Sequence, residues 1–287
     1  MFISVIVPIY NSEKSLPALF NSLLKQTYKA FEVVIVDDCS QEDVSSLVEP
    51  YPFKYIKLSM NHGPAYCRNI GADNSTGDIL VFTDSDCLAE KNWLNNISNQ
   101  FLSEEVDAVM GRLIIPPSSV LGDSISALGF PAGGSIGFDK IWKVSEKGYT
   151  DSLSSCNCAV KKHVFEKVGG FDETFPFPGG EDSMLAYNLR TASFKIKYDS
   201  DVIVYHEPRD SLGGFIRWLF KRGISSYMFS KKVSNKKDFL LLRYWSTKNI
   251  LKEYHNDIKF PLIVSLLGIS IIIQSCGALY GKLRQRY

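Results

Sequence analysis

The sequence lacks several features that would assign it quickly. Its six cysteines (Cys39, Cys67, Cys87, Cys156, Cys158 and Cys276) follow no zinc spacing, and Cys156-Asn157-Cys158 has neither the two-residue gap nor a second pair. Several lie in apolar or strand-end contexts, which predicts free thiols in a reducing compartment rather than a disulfide framework. Met1-Phe2-Ile3-Ser4 runs into an apolar stretch without a basic segment, so no signal peptide is expected. No glycine-rich, cation-bearing loop follows that stretch, which argues against a phosphate grip of the kind a sugar-phosphate nucleotidyltransferase needs there. Internal repeats and low-complexity tracts are missing too. Net charge is only +1.

The small net charge conceals an asymmetry. Residues 1–208 carry 17 Lys/Arg against 27 Asp/Glu, whereas residues 209–259 carry 12 against 4. Lys282, Arg284 and Arg286 follow near the end. The basic part has no folded-domain pattern of its own, so it suggests an anionic membrane surface and not nucleic acid. Between the two basic stretches, residues 260–281 carry no charge and are rich in Leu, Ile and Val. That length suits a helix that crosses or enters a bilayer, the alternative being a buried core helix. The denser basic flank on its N-terminal side would place the main body at the cytoplasmic face of the cell membrane.

A hydrophobic fraction of 45% and an aromatic fraction of 13% describe a folded chain. Its first third alternates apolar runs with helical spacings. Strands are expected over 4–9, 31–36, 55–58 and 79–82, with helices over 12–26, 41–48 and 63–74, the last opened by Pro64. This alternation predicts an α/β architecture, a Rossmann-like, mostly parallel sheet with helices on both faces. Ligands of such sheets bind at the carboxyl ends of the strands. Those ends carry Tyr10-Asn11, Asp37-Asp38 and Asp84-Ser85-Asp86. Beyond Arg112 the pattern loosens, and Pro116-Pro117 and residues 129–137 read as mobile loops. A strand over 155–160, a helix over 161–168, a helix over 181–191 and a strand over 196–204 leading to His206 complete the first 208 residues.

The pair Asp84 and Asp86 closes an apolar run, where two like charges raise each other's cost of ionisation. A divalent cation relieves that cost, and hard cations take oxygen ligands. The alternative for so short a motif is an ordinary strand-end turn.

Six motifs in order carry a resemblance. They are Val5-Ile6-Val7-Pro8-Ile9-Tyr10-Asn11, Val34-Ile35-Val36-Asp37-Asp38, Cys67-Arg68-Asn69 before Gly71, Asp84-Ser85-Asp86, Val168-Gly169-Gly170-Phe171-Asp172-Glu173, and Gly180-Glu181-Asp182. Over about residues 3–225 the chain resembles the family 2 glycosyltransferases, which have the GT-A fold, use nucleoside diphosphate sugars and invert the anomeric centre. The resemblance implies that Pro8, Tyr10 and Asn11 line the base pocket. Asp38 would accept a hydrogen bond from the base, the alternative being a helix cap, with Asp37 structural. Arg68 would reach the diphosphate or base, the alternative being a surface salt bridge. Asp84 would contact the sugar nucleotide and Asp86 would bind Mg²⁺ or Mn²⁺, with His206 a further metal ligand or, alternatively, a packed strand-end histidine. Asp182 would be the general base, with Glu181 as a stand-in or helix-end group.

Processive synthases of the family carry Gln-x-x-Arg-Trp. Here the stretch reads Gly214-Phe215-Ile216-Arg217-Trp218, and no further apolar helices suggest a translocation channel. A non-processive transfer to a lipid-linked or cell-envelope glycan is therefore expected. Arg217, Trp218, Lys221 and Arg222 are candidates for the membrane face, or for an ordinary amphipathic helix. The expected organisation is a catalytic unit over 1–208 (nucleotide half 1–111, acceptor half 112–208), basic helices over 209–259, an apolar helix over 260–281 and a basic tail over 282–287. A non-catalytic scaffold on a degenerate transferase fold is the remaining rival.

Overall fold

A computed structural model describes residues 1–234 and 236–284, so the last part of the expected basic tail, Arg286 included, lies outside the described residues. The elements in chain order are β1 (Ile3–Ile9), α1 (Leu16–Leu24), β2 (Phe31–Asp37), α2 (Ser45–Val48), β3 (Lys54–Lys57), α3 (Pro64–Asp73), β4 (Ile79–Thr83), β5 (Cys87–Ala89), α4 (Trp93–Gln100) and β6 (Ala108–Ile114). There follow α5 (Val120–Ala127), a short 3₁₀ turn at Gly134–Ile136, α6 (Phe138–Ile141), β7 (Tyr149–Thr150), β8 (Asn157–Lys161), α7 (Lys162–Lys167) and α8 (Glu181–Thr191). β9 (Ile196–His206) closes the sheet, and α9 (Leu212–Lys232), α10 (Lys236–Tyr254) and α11 (Phe260–Arg284) complete the chain.

The main sheet path is β3-β2-β1-β4-β8-β6-β9-β5, with β7 pairing on β9. β1, β2, β3 and β4 are mutually parallel, β8 is antiparallel to both β4 and β6, and β9 runs parallel to β6. The sheet is thus mostly parallel, as its near-continuous apolar strands imply: β1 and β4 are buried along nearly their whole length because helices cover both faces. The chain order reverses between β1 and β4, and that switch opens a crevice at their carboxyl ends.

Helix α3 runs along β1 beneath the site. Gly63 precedes it with φ 92°, and Pro64 supplies the first helical residue. Gly71 lies so close to the sheet that a Cβ there would sit 2.4 Å from Ile6 Cγ2. The short sequence motif in α3 is therefore partly a packing requirement.

Two local expectations fail. The helix expected over 41–48 is a single turn at Ser45–Val48, because Asp37 and Asn11 take up the preceding backbone N–H groups. Residues 129–137 are not a mobile loop. Phe130, Ala132 and Gly134 are buried, and a Cβ on Gly134 would meet the Ser126 carbonyl at 2.0 Å. Glycine richness there reflects close packing on α5, not freedom.

The apolar C-terminal helix packs along one side. Ile263 and Leu266 join a core cluster with Ile125, Phe215, Leu219 and Ile250. Further on, α11 crosses α9 backbone to backbone: a Cβ on Gly277 would lie 2.1 Å from the Phe220 carbonyl, and one on Gly223 2.2 Å from that of Gln274. The other side is apolar and open, with Ile271 58% and Ile272 62% exposed. Among the described residues this is the one helix long and apolar enough to cross a membrane.

Candidate active site

The carboxyl ends of β1 and β2 are tied together by short polar contacts. Asp37 is fully buried; its Oδ1 accepts from the Ser40 backbone N–H and hydroxyl at 2.9 and 2.6 Å, and its Oδ2 accepts from the Tyr55 hydroxyl at 2.8 Å. Asp38 accepts from the His62 N–H at 2.7 Å and the Gly63 N–H at 2.8 Å, which fixes the loop leading into α3. Each of those oxygens keeps a lone pair for a second donor. Asn11, at φ 50°, takes the Ser40 hydroxyl oxygen at its own N–H and accepts the Gln41 N–H at 2.9 Å. Tyr10 remains 47% exposed at this rim, with Pro8 partly covered below it.

Arg68 lies at the centre of the site rather than on its surface. It is 2% exposed and donates from Nη2 to Asp84 Oδ1 at 2.8 Å and from Nη1 to Glu181 Oε1 at 3.1 Å. Burial alone would weaken its hold on the proton, but the Asp84 and Glu181 carboxylates outweigh it and hold the guanidinium above its ordinary value. Next to it, Asn69 exchanges two 2.9 Å hydrogen bonds with the Phe171 backbone, so two of the sequence motifs meet directly.

The neighbouring acids Glu181 and Asp182 diverge. Glu181 Oε2 accepts from the Gly179 and Gly180 N–H groups at 2.7 and 2.9 Å, so the side chain closes the start of α8 while also pairing with Arg68. Asp182 has no ion pair among the described residues and accepts locally from the Ser183 N–H at 2.7 Å. Burial, reinforced by the Glu181 charge, raises its carboxyl to about 6; Arg222, the Ser183 N–H and Arg68 pull the other way. A carboxylate of this kind suits proton abstraction near neutral pH.

Asp86 meets the far strand. His206 on β9 is in register with Cys87 on β5, and its Nε2 lies 3.5 Å from Asp86 Oδ1. The His206 Nδ1 sits 2.8 Å from the Glu207 carbonyl oxygen, which only accepts, so Nδ1 carries a proton and Nε2 is the nitrogen turned to Asp86. With Nε2 unprotonated the pair is two acceptors that a cation between them would join. Cys87 Sγ lies within the same 4.8 Å group. Its thiol is pushed well up by burial, as are those of Cys156 and Cys158, and all three sit as neutral core residues. The donor set that fits a hard cation is therefore Asp86 and His206, with positions left for other oxygen ligands.

Sequence reasoning gave no role to Arg209 or Arg243 and placed Trp218 and Arg222 outward. Instead Arg209 and Arg222 both stack on the Trp218 ring, Cζ to centroid 5.1 and 5.3 Å, and Arg222 also lies 5.4 Å from the Phe130 centroid. Trp218 and Arg222 are four apart on α9, a spacing that makes them neighbours, but Arg209 reaches the ring from the preceding loop and nothing in the spacing marks it. A cavity of about 860 Å³ on the other side of α8 is lined by Ser183, Tyr187 and Trp245, but by none of Asp84, Asp86 and Asp182.

Comparisons with known proteins bear on the family and the fold. Over 235 residues the chain is 26% identical to the glycosyltransferase AglE of Haloferax volcanii, covering 77% of this chain and 72% of that protein. It is 39% identical over 117 residues to the poly(ribitol-phosphate) beta-N-acetylglucosaminyltransferase TarS of Staphylococcus aureus, which is 38% of this chain and 20% of TarS. Among solved structures, TarS superposes with a TM-score of 0.55 at 25% identity, over 78% of this chain and 39% of that one. The mannosyltransferase PcManGT of Pyrobaculum calidifontis, in complex with GDP-Man and Mn²⁺, superposes with a TM-score of 0.62 at 19% identity, over 99% and 84% of the two chains. The family model described as glycosyl transferase family 2 matches residues 4–169, the stretch that contains β1 to β8, so the chain belongs to the family 2 glycosyltransferases and has their GT-A fold.

Proposed function

We propose that this glycosyltransferase inverts the anomeric centre as it moves a sugar from a nucleoside diphosphate sugar to a hydroxyl acceptor, and that it depends on Mg²⁺ or Mn²⁺. The observation that carries the reading is the division of labour between two adjacent acids. Glu181 is spent on Arg68 and two backbone N–H groups, while Asp182 is unpaired and raised to about 6. In this reading the Asp182 carboxylate takes the proton of the acceptor hydroxyl as that oxygen attacks the anomeric carbon, from the face opposite the leaving diphosphate. Asp38, Pro8, Tyr10 and Asn11 bound the base pocket, and Asp84, oriented by Arg68, contacts the sugar nucleotide. Asp86 and His206 would hold the cation, which when bound neutralises charge on the leaving diphosphate.

The acceptor is read as a lipid-linked or cell-envelope glycan. Support comes from relatives named for O-antigen biosynthesis in Myxococcus xanthus and for poly(ribitol-phosphate) glycosylation. The half-open apolar face of α11 supports a seat on the membrane, and the denser basic flank on the N-terminal side of that helix supports the cytoplasmic face for the catalytic unit. On this reading 1–208 is the catalytic unit and 209–287 the membrane-proximal part.

The test is a panel of UDP-, GDP- and dTDP-sugars with Mn²⁺, scored for hydrolysis and transfer. At least one donor should react. Asp182→Asn should lose transfer by about 10²–10⁴-fold while still binding the nucleotide. Full transfer by that variant would refute the assignment of the base.

A further inference from the structure

We propose that Arg222, with Arg209, forms a seat for a phosphate group on the acceptor, beside the hydroxyl that attacks. The proposal rests on the reading of Asp182 as the base.

The seat is two guanidiniums gathered at one aromatic ring. Arg209 and Arg222 share the face region of one indole, Trp218, at 5.1 and 5.3 Å. The Nε atoms of both are buried without a hydrogen-bond partner. Among the described residues neither guanidinium has a carboxylate at ion-pairing distance. Burial lowers the Arg222 value, and Arg209 lowers it further, against the pull of Asp182 and Glu181. Like charges gathered out of water are costly unless an anion joins them. Guanidinium forks match phosphate oxygens in pairs, and the aromatic faces hold them flat for that purpose.

Position decides which substrate supplies the phosphate. The acids that act on Arg222 are Asp182 and Glu181, not Asp84 or Asp86. Gly179, φ +105°, lies over it: a Cβ there would be 3.2 Å from Arg222 Nη1, so the guanidinium sits under the loop that carries the base. On the donor side the central cation is Arg68, already neutralised by Asp84 and Glu181. The cation that lacks a direct ion pair therefore lies on the side of Asp182.

Binding of sn-glycerol 3-phosphate, a minimal molecule with both a phosphate and hydroxyls, tests the seat by calorimetry on the full chain. Inorganic phosphate is a second probe, and UDP, GDP and dTDP with Mn²⁺ are the donor-side controls. Arg222→Gln should weaken glycerol 3-phosphate and phosphate at least about tenfold, with partial recovery in Arg222→Lys. Affinity for the nucleoside diphosphate that binds should change by less than about twofold. Asp182→Asn should keep glycerol 3-phosphate binding, which separates failure of the seat from failure of the base assignment. Equal losses for glycerol 3-phosphate and nucleoside diphosphate would assign the cluster to the donor instead. No saturable binding to the wild-type protein, or binding indifferent to Arg222→Gln at unchanged melting temperature, would also overturn the proposal.

Discussion

The molecule contains two arginine centres, one on each side of Asp182, and they are built on opposite principles. Around Arg68 every charge has an answer: two carboxylates take its Nη atoms, and one of them, Glu181, closes a helix start as well. Around Trp218 two guanidiniums stack without a carboxylate at ion-pairing distance among the described residues. A compensated buried ion is part of the scaffold, and removing one partner strands the others. An uncompensated one is a cost to the fold that an anionic ligand would relieve. The contrast assigns the first centre to holding the site and the second to recognising something.

The sharpest way to break that contrast is a matched pair of substitutions. Arg68→Met leaves Asp84 and Glu181 facing each other and should cost about 3–5 kcal/mol, read as a fall in melting temperature of roughly 10 °C. Arg222→Met should stay within about 1 kcal/mol of the wild type in the same melt, or exceed it. Similar losses in both would show that the second centre is structural too.

The metal pair gives a smaller effect. Asp86→Asn or His206→Ala should weaken Mn²⁺ binding at least about tenfold, measured by titration of the metal against the full chain. Unchanged binding would place the cation elsewhere. A comparable effect is expected on the open face of α11, where Ile271→Asp or Ile272→Asp should lower partitioning onto anionic vesicles by about tenfold. Deleting 258–287 is a poorer test, because Ile263 and Leu266 belong to a buried cluster with the core of the catalytic unit.

The smallest effect is a displacement in pH. Asp182, raised from 3.8 to about 6, must lose its proton to act, so transfer should rise with pH through about 6. Its contribution to stability has the opposite sign. The folded form binds a proton that the unfolded chain has released between about pH 4 and 6, so this contribution is present below pH 4 and lost as pH rises through 6. Arg222 pulls the Asp182 value down, so Arg222→Met should move the acid limb of the rate profile to higher pH. A limb that stays in place would mean that the two groups do not sense each other.

The two centres were unequally legible. Arg68, Asp84, Glu181 and Asp182 sit in short motifs at strand ends and helix starts, where local pattern fixes position. Strands β1, β2 and β4 were readable for the same reason: each is a largely buried apolar run bounded by turn residues, whereas the edge strand β3 is exposed at both lysines and only half-buried between them. Arg209, Arg222 and Trp218 lie on a loop and a helix that read as membrane-facing. Nothing in their spacing shows that they stack beside the base. Residues 129–137 misled in the opposite direction, because glycines that permit close packing look in sequence like glycines that permit motion.

By itself the sequence determined the α/β alternation, the strand ends that carry acids, and the family, because each depends on residues a few positions apart. Only the tertiary structure decided which of the paired acids is free. Glu181 and Asp182 are equivalent as neighbours in sequence, and what separates them is Arg68, reached across 113 positions. The structure likewise decided that α11 buries one face and leaves the other open, since its residues are apolar all round. Electrostatic partners and helix crossings are long-range contacts, and a chain read residue by residue carries no record of them until it folds.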